Sequence, residues 1–239
     1  MGQLTFATVS GDDGWISREA QSNWFPTGPG GPNANSLGGE VLAEKHYDNS
    51  TPGLPYFLGV GYMRFDTSSI PDFATITGAT LRLYVTTVLD DEGRSMTLEW
   101  MNGEAFGTSL YTDVVAQDAL APVTLASIAA NLNNYMDFTL LSPSTHINLS
   151  GYSSIRMHVT GSTAPASVQP TLNAPVFCSK DGEATYSAIG PRLIVDYTIP
   201  MVSVRPDADT TTTGWTTTPL WSKVDEASAG GDVISATAS

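Results

Sequence analysis

This sequence predicts an all-β fold: an antiparallel two-sheet β-sandwich of jelly-roll type, followed by the start of a second β unit. Three observations predict it. Short runs alternating apolar and polar residues recur along the chain. Glycine and proline, 22 and 15 of 239 residues, punctuate those runs. A short helix is indicated at one place only, near "TLASIAANL". Period-two alternation puts neighbouring side chains on opposite faces, so each run buries one face and wets the other. Many such strands separated by turns pack as two antiparallel sheets.

The first strand candidates are Leu4 to Val9, Trp15 to Ser17 and Gly39 to Glu44. Between them "SNWFPTGPGGPNANSLGG", residues 22–39, lacks a strand pattern and reads as a long loop. In "YMRFD" Met63 and Phe65 face one way, and Tyr62, Arg64 and Asp66 the other. In "ATLRLYVTT" Ala79, Leu81, Leu83 and Val85 oppose Thr80, Arg82, Tyr84 and Thr86. The linker between holds Pro71, which lacks an N–H, and Gly78. It is too long for a tight hairpin and suits a crossing between sheets.

The pattern returns in "SMTLEWM" (Met96, Leu98, Trp100), "YMDFTLL" (Met136, Phe138, Leu140) and "SIRMHVT" (Ile155, Met157, Val159). "GSTAPASVQPTLNAP", residues 161–175, is a second long loop. Ala174 to Ser179 follows, and "PRLIVDYTI" puts Leu193, Val195 and Tyr197 on one face, for about ten strands in all. The domain reading is residues 1–198 as the sandwich, 199–201 as a linker and 202–239 as an incomplete second module. Val202 and Val204 begin that module, too short to close a sandwich alone.

Ten basic against 24 acidic residues give a net charge of −14. An acidic surface repels phosphates and anionic lipid, so neither nucleic acid nor membrane is an expected partner. No apolar run reaches the ~20 residues of a membrane span. The opening "MGQLTFATVSGDDGW" lacks the charged and apolar regions of a secretory signal, so the chain is expected either to stay in a cytoplasm, where virion proteins assemble, or to leave by a route other than a signal peptide. The single Cys178 makes no internal disulfide and reads as an inert core thiol.

The same residues carry a likeness. "YMRFDTSSIPDFATITGATLRLYV" resembles the hallmark of the DNRLRE domain: a strand ending in Arg-Phe-Asp, an "SSIP" turn, then "ATLRLYV". "GDDGWIS" with "SLGGEVLA" is similar to that family's opening, and "VFCSKDGEATYSAIGPRLIVDYT" to its closing. The likeness spans residues 8–198 and departs over 100–150, where "TLASIAANLNNYMDFTL" replaces a Trp-rich segment. It implies a β-sandwich, sometimes classed with carbohydrate-binding modules, found on secreted and cell-surface proteins and in phage virions. The tail "VRPDADTTTTGWTTTPLWSKVDEASAGGDVIS" resembles the opening of a β module of phage head and tail proteins.

Candidate chemistry is sparse. Trp24 and Phe25, with Asn23, Asn33 and Asn35 in the same loop, are the ligand-binding candidates. Aromatic faces pack against sugar rings and amides bind hydroxyls; plugging a sandwich end is the plainer alternative. Asp12 and Asp13 are the first candidates for calcium, the one cofactor left open, with solvated carboxylates as the alternative. Arg64 and Asp66 read as ion-pair or loop-fixing groups, as do Arg82 and Arg192. His46, His146 and His158 lie too far apart for a transition-metal motif. No nucleophile elbow, HExxH or phosphate loop is present, so no catalytic residue is assigned and no enzyme is expected.

The expected function is therefore a non-enzymatic structural protein of a phage virion: a head decoration, fibre or tail-associated protein. It attaches through its loops to other virion proteins, as a homo-oligomer at the virion surface. The alternative is a carbohydrate-binding module, extracellular or facing a host-surface glycan, with its site at the loop-rim aromatics.

Overall fold

The structure, a computed structural model, describes residues 1–20, 33–35, 38–47, 56–111, 117–160, 171–200, 221–226 and 231–236. Two compact units are present, Met1–Ile199 and Pro200–Ser239.

The first unit begins with β1 (Gly2–Ala7), β2 (Asp13–Ala20), β3 (Asn33–Asn35), β4 (Glu40–Leu42) and β5 (Glu44–Tyr47). Two long strands follow, β6 (Tyr56–Asp66) and β7 (Thr75–Asp90), then β8 (Ser95–Met101) and a 3-10 turn over Thr108–Tyr111. Next come β9 (Gln117–Thr124), α1 (Leu125–Ala129), β10 (Tyr135–Thr139), α2 (Pro143–His146) and β11 (Tyr152–Val159). The unit closes with β12 (Thr171–Cys178), α3 (Glu183–Tyr186) and β13 (Arg192–Thr198).

All strand pairings among the described residues are antiparallel. One sheet has the order β1-β13-β7-β10, and the other contains β2-β6-β11-β8-β9 with β3 on β2. The loop after β6 carries the chain from the second sheet to the first, as its length predicts. β7 serves both sheets: Thr75 to Arg82 pairs β13, whereas Val85 to Asp90 pairs β12. The register shifts where Val176 faces Thr87 and Phe177 faces Val85, leaving Thr86 over. An extra residue of this kind bends a strand, which is how one strand turns a sandwich corner. β12 then joins β5, and β5 joins β6.

The main core lies between the sheets. Phe6, Leu81, Leu83, Phe138, Leu193 and Val195 meet Met63, Phe65, Leu98, Trp100, Ile155 and Met157. Each is a residue that alternation assigns to an inner face, and each such burial stabilises by ~1.5–3 kcal/mol. Trp100 is fully buried, and its Nε1 donates to the Leu141 carbonyl at 2.8 Å. Helix α1 starts where the sequence indicates it. Thr124 caps it by accepting from the Ser127 N–H at 3.2 Å, and Leu125 and Ile128 bury its inner side.

The structure differs from the sequence reading in several places: two further short helices, α2 and α3, form where none is indicated, and β12 takes in Thr171 to Asn173 of the segment read as loop. Tyr62, expected to face outward, is fully buried in a second apolar cluster with Ile16, Leu58, Val60, Met101 and Leu110. The segment after β8 roofs that face, with Phe106 edge-on to the Tyr62 ring at 6.0 Å. Strand β6 starts at Tyr56, earlier than alternation shows, because Leu58 to Gly61 are buried on both faces and Tyr56 and Phe57 are half-buried, so no period of two appears. Strand β9 carries Pro122 and breaks register twice, so its pattern is illegible; such features belong to sheet edges.

In the second unit β14 (Trp221–Glu226) and β15 (Gly231–Ala236) form an antiparallel hairpin, from Trp221 opposite Ala236 to Glu226 opposite Gly231. Val202 and Val204 lie outside the described residues.

Candidate functional site

Three segments meet at one corner of the first unit. The opening turn, residues 8–14, ends in β2; residues 38–40 enter β4; residues 179–192 connect β12 to β13 through α3. Their contacts are polar and mutual. Thr8 Oγ1 donates to Asp13 Oδ2 at 2.6 Å, and the Lys180 N–H donates to the same oxygen at 2.9 Å. Ser10 Oγ donates to Asp181 Oδ1 at 2.8 Å, and Ser179 Oγ to the Gly38 carbonyl at 3.1 Å. Glu183 holds the closing turn together: it accepts from Lys180 Nζ at 2.6 Å, the Gly190 N–H at 2.9 Å and Arg192 Nη2 at 3.2 Å.

Arg64 extends this clasp from β6. Its Nε donates to Asp12 Oδ1 at 3.0 Å, and its guanidinium lies 4.2 Å from the centre of the Tyr152 ring. Asp66 accepts from Ser68 Oγ at 2.6 Å and from the Ser68 N–H at 3.1 Å, which fixes the turn after β6. Both residues thus do what the plainer sequence reading assigns them, an ion pair and a loop-fixing bond. Asp13 is fully buried, and its Oδ1 has no hydrogen-bond partner. Burial, with Asp181 and Asp12 nearby, pushes its carboxyl up to about 6 against the bonds from Thr8 and Lys180.

A second constellation lies on the roofed face of β6, β11 and β8, where register sets Tyr62, Arg156 and Glu99 in a row. Arg156 Nε donates to Glu99 Oε2 at 2.9 Å and Nη1 to the Leu110 carbonyl at 2.9 Å, while His158 Nδ1 lies 3.2 Å from Glu99 Oε1. Burial raises Glu99, but His158 and Arg156 more than offset it and hold the carboxyl below its usual range. Sequence reasoning misses this group because the roof, which follows β8, is distant in the chain from β6 and β11: Leu110 lies 46 residues from Arg156.

The outer face of β13, β7 and β10 is open. Tyr84 and Tyr135 are cross-strand neighbours in an edge-on pair with centres 5.1 Å apart. Beside them Arg82 donates to both oxygens of Asp137 at 2.7 Å, and this pair is half exposed. Arg192 stands opposite Arg82 on the other side of β7. Aromatic faces flanked by planar polar groups suit a ring-shaped polar ligand.

Of the sequence candidates, Trp24, Phe25 and Asn23 lie outside the described residues. Asn33 and Asn35 stand in β3, paired with Ser17 and Trp15, so a short strand interrupts the segment read as loop. Asp12 and Asp13 come together at the corner, Asp12 on Arg64 and Asp13 on Thr8 and Lys180. Among the described residues no group of three or more His, Cys, Asp and Glu side chains is placed to hold a metal ion.

No family model matches this chain, and no curated protein matches it. Fold and site together define an all-β protein whose polar side chains gather at one corner, under one roof and on one open sheet face.

Proposed function

We propose that this protein is a non-enzymatic structural component of a phage particle, a head decoration, fibre or tail-associated subunit. The observation that carries the reading is the corner clasp. There the three sequence blocks that resemble the DNRLRE domain, "GDDGW", "RFD" and "SKDGE…PRL", are committed to one another through Asp12, Asp13, Arg64, Glu183 and Arg192. Polar groups spent on joining the chain's beginning and end to β6 resist local opening, which suits a protein exposed on a particle. Phe73, Leu132, Leu141 and Ile189 are exposed in turns, where attachment through loops would use them. An acidic surface keeps the assembled particle soluble.

The test is immunogold labelling and peptide sequencing of gradient-purified particles, using antiserum to this chain. The expected result is a fixed copy number per particle. Recovery only in the soluble fraction would overturn the reading.

A second reading, carbohydrate binding, is favoured by Tyr84 and Tyr135 beside Arg82 and Asp137 on the open face. Saturable binding to a polysaccharide panel that Tyr135→Ala abolishes would support it. Binding lost only in Trp24→Ala would move the site to the loop rim.

A further inference from the structure

Lys45 and Asn173 are directly opposed residues of the antiparallel strands β5 and β12. Opposed residues project to the same side with Cβ atoms ~4.5–5.5 Å apart. Asn173 is fully buried and Lys45 is 8% exposed. The Asn173 carboxamide is clamped at both ends by one residue. Glu92 Oε2 accepts from Nδ2 at 2.8 Å, and the Glu92 N–H donates to Oδ1 at 3.1 Å. Arg94 Nε in turn donates to Glu92 Oε2 at 2.8 Å. Asn173 Nδ2 also donates to the Lys45 carbonyl at 3.4 Å, and among the described residues Lys45 Nζ makes no hydrogen bond and no ion pair within 4.0 Å.

We propose that Lys45 and Asn173 become joined by an isopeptide bond that the folded chain forms by itself, with Glu92 carrying the proton. Burial, reinforced by Arg94 and opposed by Glu92, lowers the Lys45 amine to about 8. Roughly a tenth of it is then the free amine at pH 7. Burial disfavours the charged amine, and a neutral amide carries no such charge.

The reaction balances without an outside reagent. The Nζ lone pair attacks Asn173 Cγ, and the negative charge on Oδ1 is held by the Glu92 N–H. Once Nζ is bonded to Cγ it is the immediate neighbour of Nδ2, and the Glu92 carboxylate, already hydrogen-bonded to Nδ2, then takes one proton from Nζ and delivers it to Nδ2. The Cγ–Nδ2 bond breaks, ammonia leaves, and Glu92 returns as a carboxylate. One C–N bond forms and one breaks. The product ties positions 128 residues apart, in a chain whose single cysteine makes no internal disulfide.

The test is the intact mass of the purified full chain. A loss of about 17 Da, one ammonia, is expected, together with a proteolytic fragment in which the segments around Lys45 and Asn173 remain joined. Glu92→Gln and Asn173→Ala should each show the mass of the unlinked chain, and Glu92→Gln should melt at a lower temperature. A folded wild-type chain that keeps its full mass after prolonged incubation overturns the proposal. So does the same mass loss with the two segments in separate fragments, the mark of a succinimide at an asparagine. The wild-type mass and fragment decide the matter even if Asn173→Ala does not fold.

Discussion

Gly182 sits so close to Gly39 that a Cβ built on it would lie 2.0 Å from the Gly39 carbonyl oxygen. The φ of Gly182 is −87°, which any residue can adopt, so the demand for glycine here is steric. The same contact brings the Ser179 N–H to the Gly39 carbonyl at 3.2 Å and seats the turn before α3 against the entry to β4. Gly182→Ala must push backbone against backbone. Thermal or denaturant unfolding should show a loss of about 1–3 kcal/mol, the range of overpacked sites.

Asp13 predicts a pH dependence with a definite sign. Its folded carboxyl stands at about 6 against an ordinary 3.8, chiefly through burial. The stability it contributes is therefore full below 3.8 and is lost as pH rises through 6. At about 1.4 kcal/mol per pH unit this amounts to about 3 kcal/mol at most. Glu44, pushed up to about 7 by burial, adds in the same direction. Asp13→Asn should flatten the melting temperature between pH 4 and 7 and melt above the wild type at pH 8. An unchanged pH profile would show that Asp13 does not titrate in this range.

Two arginines of similar sequence context should behave differently. Arg82 and Asp137 are each 46% exposed, so Arg82→Ala should cost less than about 1 kcal/mol. Arg156 is 2% exposed and faces Glu99, which is 8% exposed. Arg156→Ala leaves that carboxylate short of its partner and should cost about 3–5 kcal/mol. Because Glu99 is held below its usual range, its contribution is lost as pH falls through its folded value, opposite in sign to Asp13. Urea unfolding of both variants beside the wild type at pH 3 and pH 8 checks this: the Arg156→Ala penalty should shrink at pH 3, whereas the small Arg82→Ala cost changes little.

Cys178 is fully buried and donates to the Ser179 carbonyl at 3.3 Å. Burial, with Glu183, Asp13 and Glu40 adding, pushes its thiol up to about 11. Ellman's reagent should label the native protein roughly a hundredfold more slowly than an unfolded control, and labelling should follow global unfolding. Rapid native labelling would mean that the end of β12 opens locally.

By itself the sequence determined the strands that alternate. Met63 and Phe65, Leu81 and Leu83, and Ile155 and Met157 all reach the inter-sheet core that period two assigns them. It also determined the α1 start at Thr124 and the plain roles of Arg64 and Asp66, because a cap, an ion pair and a turn follow from residue type. Only the tertiary structure decided which polar residues are buried. Tyr62, Glu99 and Arg156 alternate like solvent-facing residues and are covered by a roof beyond β8, while Lys45 gains Asn173 as a neighbour only when β5 meets β12. Local period reports which side of a strand a residue takes. What covers that side depends on segments brought in from elsewhere in the chain, and short-range pattern carries no record of them.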